Sequence, residues 1–284
     1  MFTRLSNSWE LIKASARVLM ADKELVVFPI VSTIGVLLVT LTFALPMFFS
    51  NFFDSIFFGG RIEALGFVVA FLFYVVQYTV IFFANTALVG AALIRLRGGD
   101  PTVGDGFRIA TSRIGPIIGY TLIAATVGMI LRAISKRSNG IGRLIVSLVG
   151  LAWNVATYLV VPVLAVENVG PIEAIKRSAG LLRRTWGEQI AGNLGMGGIF
   201  FLFYLAVLIV LVPVVILAIN AQAIVLIIGT AVVFILVISI VGLIQSTLEG
   251  IYSAAVYQYA TTGQVGAFFD ERLVQRAFAP SAAY

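Results

Sequence analysis

Long apolar runs separated by short polar stretches dominate the chain. A helix that crosses a bilayer needs about 20 mostly apolar residues, since each adds about 1.5 Å along the axis. Six stretches meet or approach that length: Leu25–Ser50, Ala64–Ile94, Ile114–Leu131, Leu144–Val166, Ile190–Ile219, and a last one from Ala221 to about Ile244. The third is the shortest at 18 residues, and the helical pattern of the sixth continues to Tyr259. Pro29, Pro162 and Pro213 are expected to kink their spans, because each removes a helix hydrogen bond and crowds the preceding turn.

Three shorter segments carry a single apolar stripe each. Phe2, Leu5, Trp9, Ile12, Ala16 and Leu19 recur at steps of three and four, opposite Arg4, Asn7, Glu10, Lys13 and Arg17. Val103, Phe107, Ala110 and Ile114 repeat the pattern opposite Asp105, Arg108 and Arg113. Ile172, Ile175, Ala179, Leu182 and Trp186 do so opposite Glu173, Lys176, Arg177, Arg183 and Arg184. Pro101 and Pro171 suit the first turns of the second and third.

Each amphipathic segment precedes two spans. The fold class is therefore all-α: a polytopic membrane bundle of six transmembrane helices plus three interfacial helices, built as three parallel repeats. The units run over residues 1–97, 98–167 and 168–262 of one membrane domain, with 263–284 as a tail. Glu10, Ile12, Lys13, Ser15, Ala16 and Leu19 match Glu173, Ile175, Lys176, Ser178, Ala179 and Leu182 at one constant offset, while the middle unit matches in pattern alone.

Composition agrees. Of 284 residues, 60% are apolar and 11% charged, whereas a soluble domain carries about 25% charged. Cys and His are absent, which excludes thiol nucleophiles and zinc sites of the usual donors and removes the commonest proton-transfer side chain. No enzyme, cofactor or metal is expected. The net charge of +6 sits beside apolar runs, so the expected partner is anionic lipid headgroups rather than nucleic acid. The first apolar run follows a helix with Arg4, Lys13, Arg17 and Lys23, unlike a cleavable signal.

Basic residues set the orientation. With both termini inside, inner segments hold 14 Lys or Arg and outer loops 5. This places the chain in the plasma (inner) membrane with cytoplasmic termini. The outer loop with Arg132, Lys136, Arg137 and Arg143 is the exception: either it forms an outer basic patch, or the third span fails to cross.

The stretch Val161–Gln189 carries Pro162, Glu167, Pro171, Glu173, Ala174, Lys176, Arg177, Ser178, Arg184, Thr185 and Trp186. It resembles uncharacterised six-span membrane proteins grouped as a domain of unknown function, similar in layout to the membrane domain fused to some glycerophosphodiester phosphodiesterases. The resemblance implies a helical membrane fold and no activity, since the phosphodiesterase catalytic domain is missing.

Polar residues inside spans are the default place to look for function. Asn85, Asn154, Gln245 and Glu249 are the candidate intramembrane site, with Asn193 entering span five and Glu167 ending span four. They read either as a polar pathway or as interhelical glue, with Glu249 pairing with Arg95 or Arg97. Lys13, Arg17, Arg108, Arg113, Lys176, Arg177, Arg183 and Arg184 are the candidate contacts to anionic lipid. The alternative is that the amphipathic helices pack on the bundle as connectors. Small-residue faces (Gly242, Ser246, Gly250, Ala254; Gly115, Gly119; Gly192, Gly195, Gly197, Gly198) allow close packing within the chain or a homo-oligomer seam. Two functions fit: a channel or permease for a small solute or ion, or a non-transporting protein that organises anionic lipid or anchors a partner.

Overall fold

One short helix followed by two long apolar ones is the element order, three times over. The computed structural model describes residues 2–49, 64–186, 197–221, 223–270, 272 and 274. Helix α1 (Phe2–Ala21) leads through a 3-10 turn (Lys23–Val26) into α2 (Val27–Phe49) and α3 (Ala64–Leu96). Helix α4 (Val103–Ser112) precedes α5 (Ile114–Arg137) and a two-piece span, α6 (Gly140–Thr157) and α7 (Val160–Val166). Helix α8 (Pro171–Trp186) precedes α9 (Gly197–Asn220) and α10 (Ile224–Thr262). Among the described residues the fold is all-α, and six helical stretches are long and apolar enough to cross a membrane.

The third span is longer than its apolar core suggests. Helix α5 continues through Arg132, Lys136 and Arg137 and is separated from α6 by only Ser138 and Asn139. Those cations therefore belong to the helix end and not to a loop. Arg132 tolerates the position because it donates to the Tyr74 hydroxyl and lies 5.2 Å from that ring's centroid, a cation–π arrangement. The start of span five before Gly197, and Asn193, Gly192 and Gly195, lie outside the described residues.

Two of the three prolines act at helix starts, not as mid-span kinks. Pro29 is the third residue of α2, just past the 3-10 turn, and Pro162 is the third residue of α7, just past the break at Tyr158 and Leu159. First-turn positions have no intrahelical N–H bond to lose. Pro213 lies within the uninterrupted helix α9, as Pro46 does within α2.

Helix α3 is the hub, packing against α2, α4, α5, α7 and α10. Burial is concentrated at one end of the bundle. Leu88, Val89, Leu93 and Leu96 of α3 meet Leu159, Val163 and Leu164 around α7, and Leu248, Ile251, Ala254 and Ala255 of α10. Helices α1, α4 and α8 close this end, contributing Leu11, Val18, Ala110, Ala174 and Leu182 to the same core. We call it the capped end. Helix α6 buries no residue and α9 only Phe200 and Ala218, and α9, apolar all round with little burial, is suited to lipid.

Polar contacts mark two levels along α3. Ten residues past its start, Tyr74 holds Arg132. Near its end Arg95 pairs with Asp22, at 3.4 Å, and with Asp100. Tyr74 and Arg95 are 21 residues apart, about 31 Å along a helix, which matches the roughly 30 Å hydrocarbon layer.

Candidate functional site

Helices α1 and α8 bury a ridge that is not the centre of their apolar stripes. Ser8, Leu11, Ile12, Ala14, Ser15 and Val18 are buried on α1, and Ala174, Ser178, Leu181 and Leu182 on α8. Small residues (Ser8, Ala14, Ser15, Ala174, Ser178) alternate in these ridges with Leu11, Ile12, Val18, Leu181 and Leu182. Ile12 and Leu182 of the stripes are themselves buried, and Leu19 and Ile175 pack against the core. Trp9 and Ile172 lie more than a third of a turn from the ridge centres, by the 3.6-residue period, and remain 49% and 61% exposed. Of the two expected arrangements, apolar stripe in the headgroup layer or helices packed on the bundle as connectors, each helix combines features: one edge packs on protein and Trp9 or Ile172 is left bare.

Basic residues border the bare edge on both helices. Lys13 is exposed, 5.8 Å from the Trp9 ring centroid, and pairs with Glu10 at 2.8 Å. Lys176 lies one turn past Ile172 on α8 and Arg183 three turns past it, followed by Arg184, all exposed. Among the described residues no carboxylate lies within ion-pair distance of these three. Trp9 and Ile172, like Lys13 and Lys176, are 163 residues apart, so the pairing of a bare apolar residue with a lysine one turn on occurs twice at a single offset.

The remaining predicted lipid contacts are engaged within the chain. Arg17 donates to the Phe268 carbonyl at 2.9 Å. Arg113 donates to the Asn168 side chain, and Arg177 to Glu167 at 3.1 Å. The Tyr257 hydroxyl also donates to Glu167, at 3.0 Å. Arg108 pairs with Asp105. Together with a bond from the Val103 N–H to Glu24 at 3.2 Å, these contacts stitch the capped end together.

Helix α4 starts from a capping box, two residues later than Pro101 suggests. The Thr102 hydroxyl accepts from the Asp105 N–H at 3.2 Å, and Asp105 accepts from the Thr102 N–H at 3.0 Å. That backbone N–H, then the Thr102 hydroxyl, then Arg108, hold the Asp105 carboxyl below its ordinary 3.8. Phe107 packs edge-on against Phe28, with centroids 5.2 Å apart, and stacks on Phe83.

Two of the four intramembrane candidates are brought together. The Tyr204 hydroxyl donates to Gln245 Oε1 at 3.0 Å, and Gln245 Nε2 donates to Glu249 Oε1 at 2.8 Å. Asn85 is half-buried on α3 and Asn154 exposed on α6, so neither belongs to this chain. Glu249 does not pair with Arg95. The arginine is held by Asp22 and Asp100, and it lies seven residues nearer the capped end than Leu88, which Gly250 abuts.

The small residues mostly serve contacts inside the chain. A Cβ on Gly250 would stand 2.4 Å from Leu88 Cδ2, and one on Gly119 2.9 Å from Pro171 Cγ, whereas Gly115 faces open space. The Tyr204 link was not foreseen, since nothing in the spacing ties a tyrosine of one span to a glutamine 41 residues on. A related tripeptide follows each second span: Thr102-Val103-Gly104, where it opens α4, Asn168-Val169-Gly170 and Gln264-Val265-Gly266.

These features define a multi-pass helical membrane protein whose spans are capped at one end by three short helices. Residues 64–268 match the model of a family described as a family of unknown function (DUF6159), and the chain belongs to that family. No match was found among curated proteins or among solved structures. The likeness in layout to the membrane domain of glycerophosphodiester phosphodiesterases therefore gains no support.

Proposed function

We propose that this is a non-enzymatic plasma (inner) membrane protein that gathers anionic lipid headgroups around its capped end, which faces the cytoplasm. One observation carries the reading: on α1 and again on α8, a bare apolar residue (Trp9, Ile172) sits one turn before an exposed lysine (Lys13, Lys176). An amphipathic helix at the interface puts apolar residues at the acyl boundary and basic ones among the phosphates, and each such cation near an anionic surface is worth about 1 kcal/mol. The buried ridges fix both helices to the bundle, so headgroups would collect at set positions. The excess of basic residues at this end supports its cytoplasmic placement.

The test is lipid selectivity in reconstituted protein. Spin-labelled phosphatidylglycerol should be retained over spin-labelled phosphatidylcholine. Replacing Lys13, Lys176, Arg183 and Arg184 by Gln should remove the preference, and an unchanged preference would sink the idea.

A transport role is the second reading, favoured by the Tyr204–Gln245–Glu249 chain. It predicts solute or ion flux in liposomes that is lost in Glu249→Gln.

A further inference from the structure

Glu249 lies within the apolar length of the bundle. Gly250 abuts Leu88, which is seven residues from Arg95 at the polar border of α3. That is about 10 Å inward at the helical rise. Gln245 lies deeper still, one turn back along α10, where Tyr204 of α9 meets it. An ionisable residue at such depth is costly unless it has a partner.

The partner is not within the described chain. Glu249 is exposed on α10, and among the described residues no Lys or Arg lies within ion-pair distance of it. It accepts a hydrogen bond from Gln245, whose orientation is fixed from behind: the Tyr204 hydroxyl occupies Oε1, so the amide N–H points at the carboxyl group. Both bonds of the chain thus run toward the Glu249 carboxyl group. A carboxylate accepts at about four lone-pair sites, and the amide fills one. The arrangement presents a carboxyl group on the exposed face of α10, oriented by Gln245 and with aromatic Tyr204 one bond behind it.

We propose that Tyr204, Gln245 and Glu249 form a binding site for a lipophilic organic monocation that arrives from the bilayer. The depth selects the ligand class. A small inorganic cation would leave its hydration shell for one carboxylate and little else, whereas a cation with its charge spread over apolar groups is already soluble at that level. This site is separate from the basic edges of α1 and α8, so either proposal can fail alone.

Tetraphenylphosphonium is a suitable probe, with the full chain in zwitterionic lipid nanodiscs. Binding should be saturable at one site per chain. Glu249→Gln, which keeps shape and removes charge, should weaken it by about tenfold or more, and Gln245→Leu by less. A tenfold excess of NaCl or KCl over the probe should not compete. A photoreactive phosphonium on the unaltered protein should label the peptide spanning Gln245–Tyr252 or the one containing Tyr204, which keeps the test valid if a variant fails to fold. Unchanged binding in Glu249→Gln, labelling elsewhere only, or displacement by Na⁺ or K⁺ at matched concentration would overturn the proposal.

Discussion

The Ser178 hydroxyl accepts a hydrogen bond from the Leu159 backbone N–H at 3.0 Å, both residues fully buried. Leu159 opens α7 at the break in span four, where the first backbone N–H groups lack a helical partner. Its counterpart in the first unit, Ser15, is equally buried, but its hydroxyl has no partner among the described residues. The same residue on the same ridge therefore has different consequences. Ser178→Ala leaves a buried donor unpaired and should lower stability by about 1–3 kcal/mol. Ser15→Ala removes only an unsatisfied hydroxyl and should be neutral or slightly stabilising. Thermal unfolding of the detergent-solubilised protein distinguishes them, and equal losses would contradict this assignment.

Gly250 and Leu88 lock α10 to α3. An added Cβ would stand 2.4 Å from Leu88 Cδ2 and 2.9 Å from its Cγ, and Leu88 is fully buried. It has nowhere to swing, so Gly250→Ala should cost about 1–3 kcal/mol by overpacking. Adding Leu88→Ala should recover part of that loss relative to Leu88→Ala alone. Gly115→Ala, in open space, should be neutral or gain up to about 1 kcal/mol from helix propensity. Melting temperatures of the four proteins check this.

Arg95 joins α3 to both chain segments that flank it at the capped end. Asp22 is 5% exposed and the Arg95 side chain 20%, so removing one partner leaves a charge poorly solvated. Asp22→Asn should destabilise by about 3 kcal/mol, with faster proteolysis in the Ala21–Leu25 region as the readout. Asp100 is 90% exposed, and Asp100→Asn should cost under about 1 kcal/mol.

The capping box of α4 predicts acid sensitivity. The folded-state pKa of Asp105 is depressed, first by the Thr102 N–H. Such a group stabilises the fold above its unfolded pKa, and that contribution is lost as pH falls through the folded value. Protection of the α4 amides from hydrogen exchange should therefore decline only below pH 3.8, the ordinary value. Asp105→Asn should flatten that decline.

The spans were legible because length and apolarity suffice to identify them, and their ends were not. Span three looked short because an apolar window stops at Arg132, while the helix continues by resting that arginine on Tyr74. The faces of α1 and α8 were misjudged for a related reason. Pattern reading centres on the bulkiest residues, such as Trp9 and Ile172, but the packed ridge also takes in Ala14, Ser15, Ala174 and Ser178. Small residues carry little hydropathy, so their burial is not signalled by the apolar pattern. The Gln245–Glu249 bond was readable from a four-residue step on one helix, whereas pairing Glu249 with Arg95 required the relative depth of α3 and α10, which no local pattern contains.

Fluorescence of Trp9 provides the most direct test of lipid gathering at the capped end. With Trp153 and Trp186 replaced by Phe, Trp9 reports alone. In mixed bilayers, brominated phosphatidylglycerol should quench it more than brominated phosphatidylcholine at equal mole fraction. Salt and Lys13→Gln should both narrow the difference. Equal quenching by the two lipids, or quenching by aqueous iodide alone, would contradict the assignment of α1 to an anionic lipid interface.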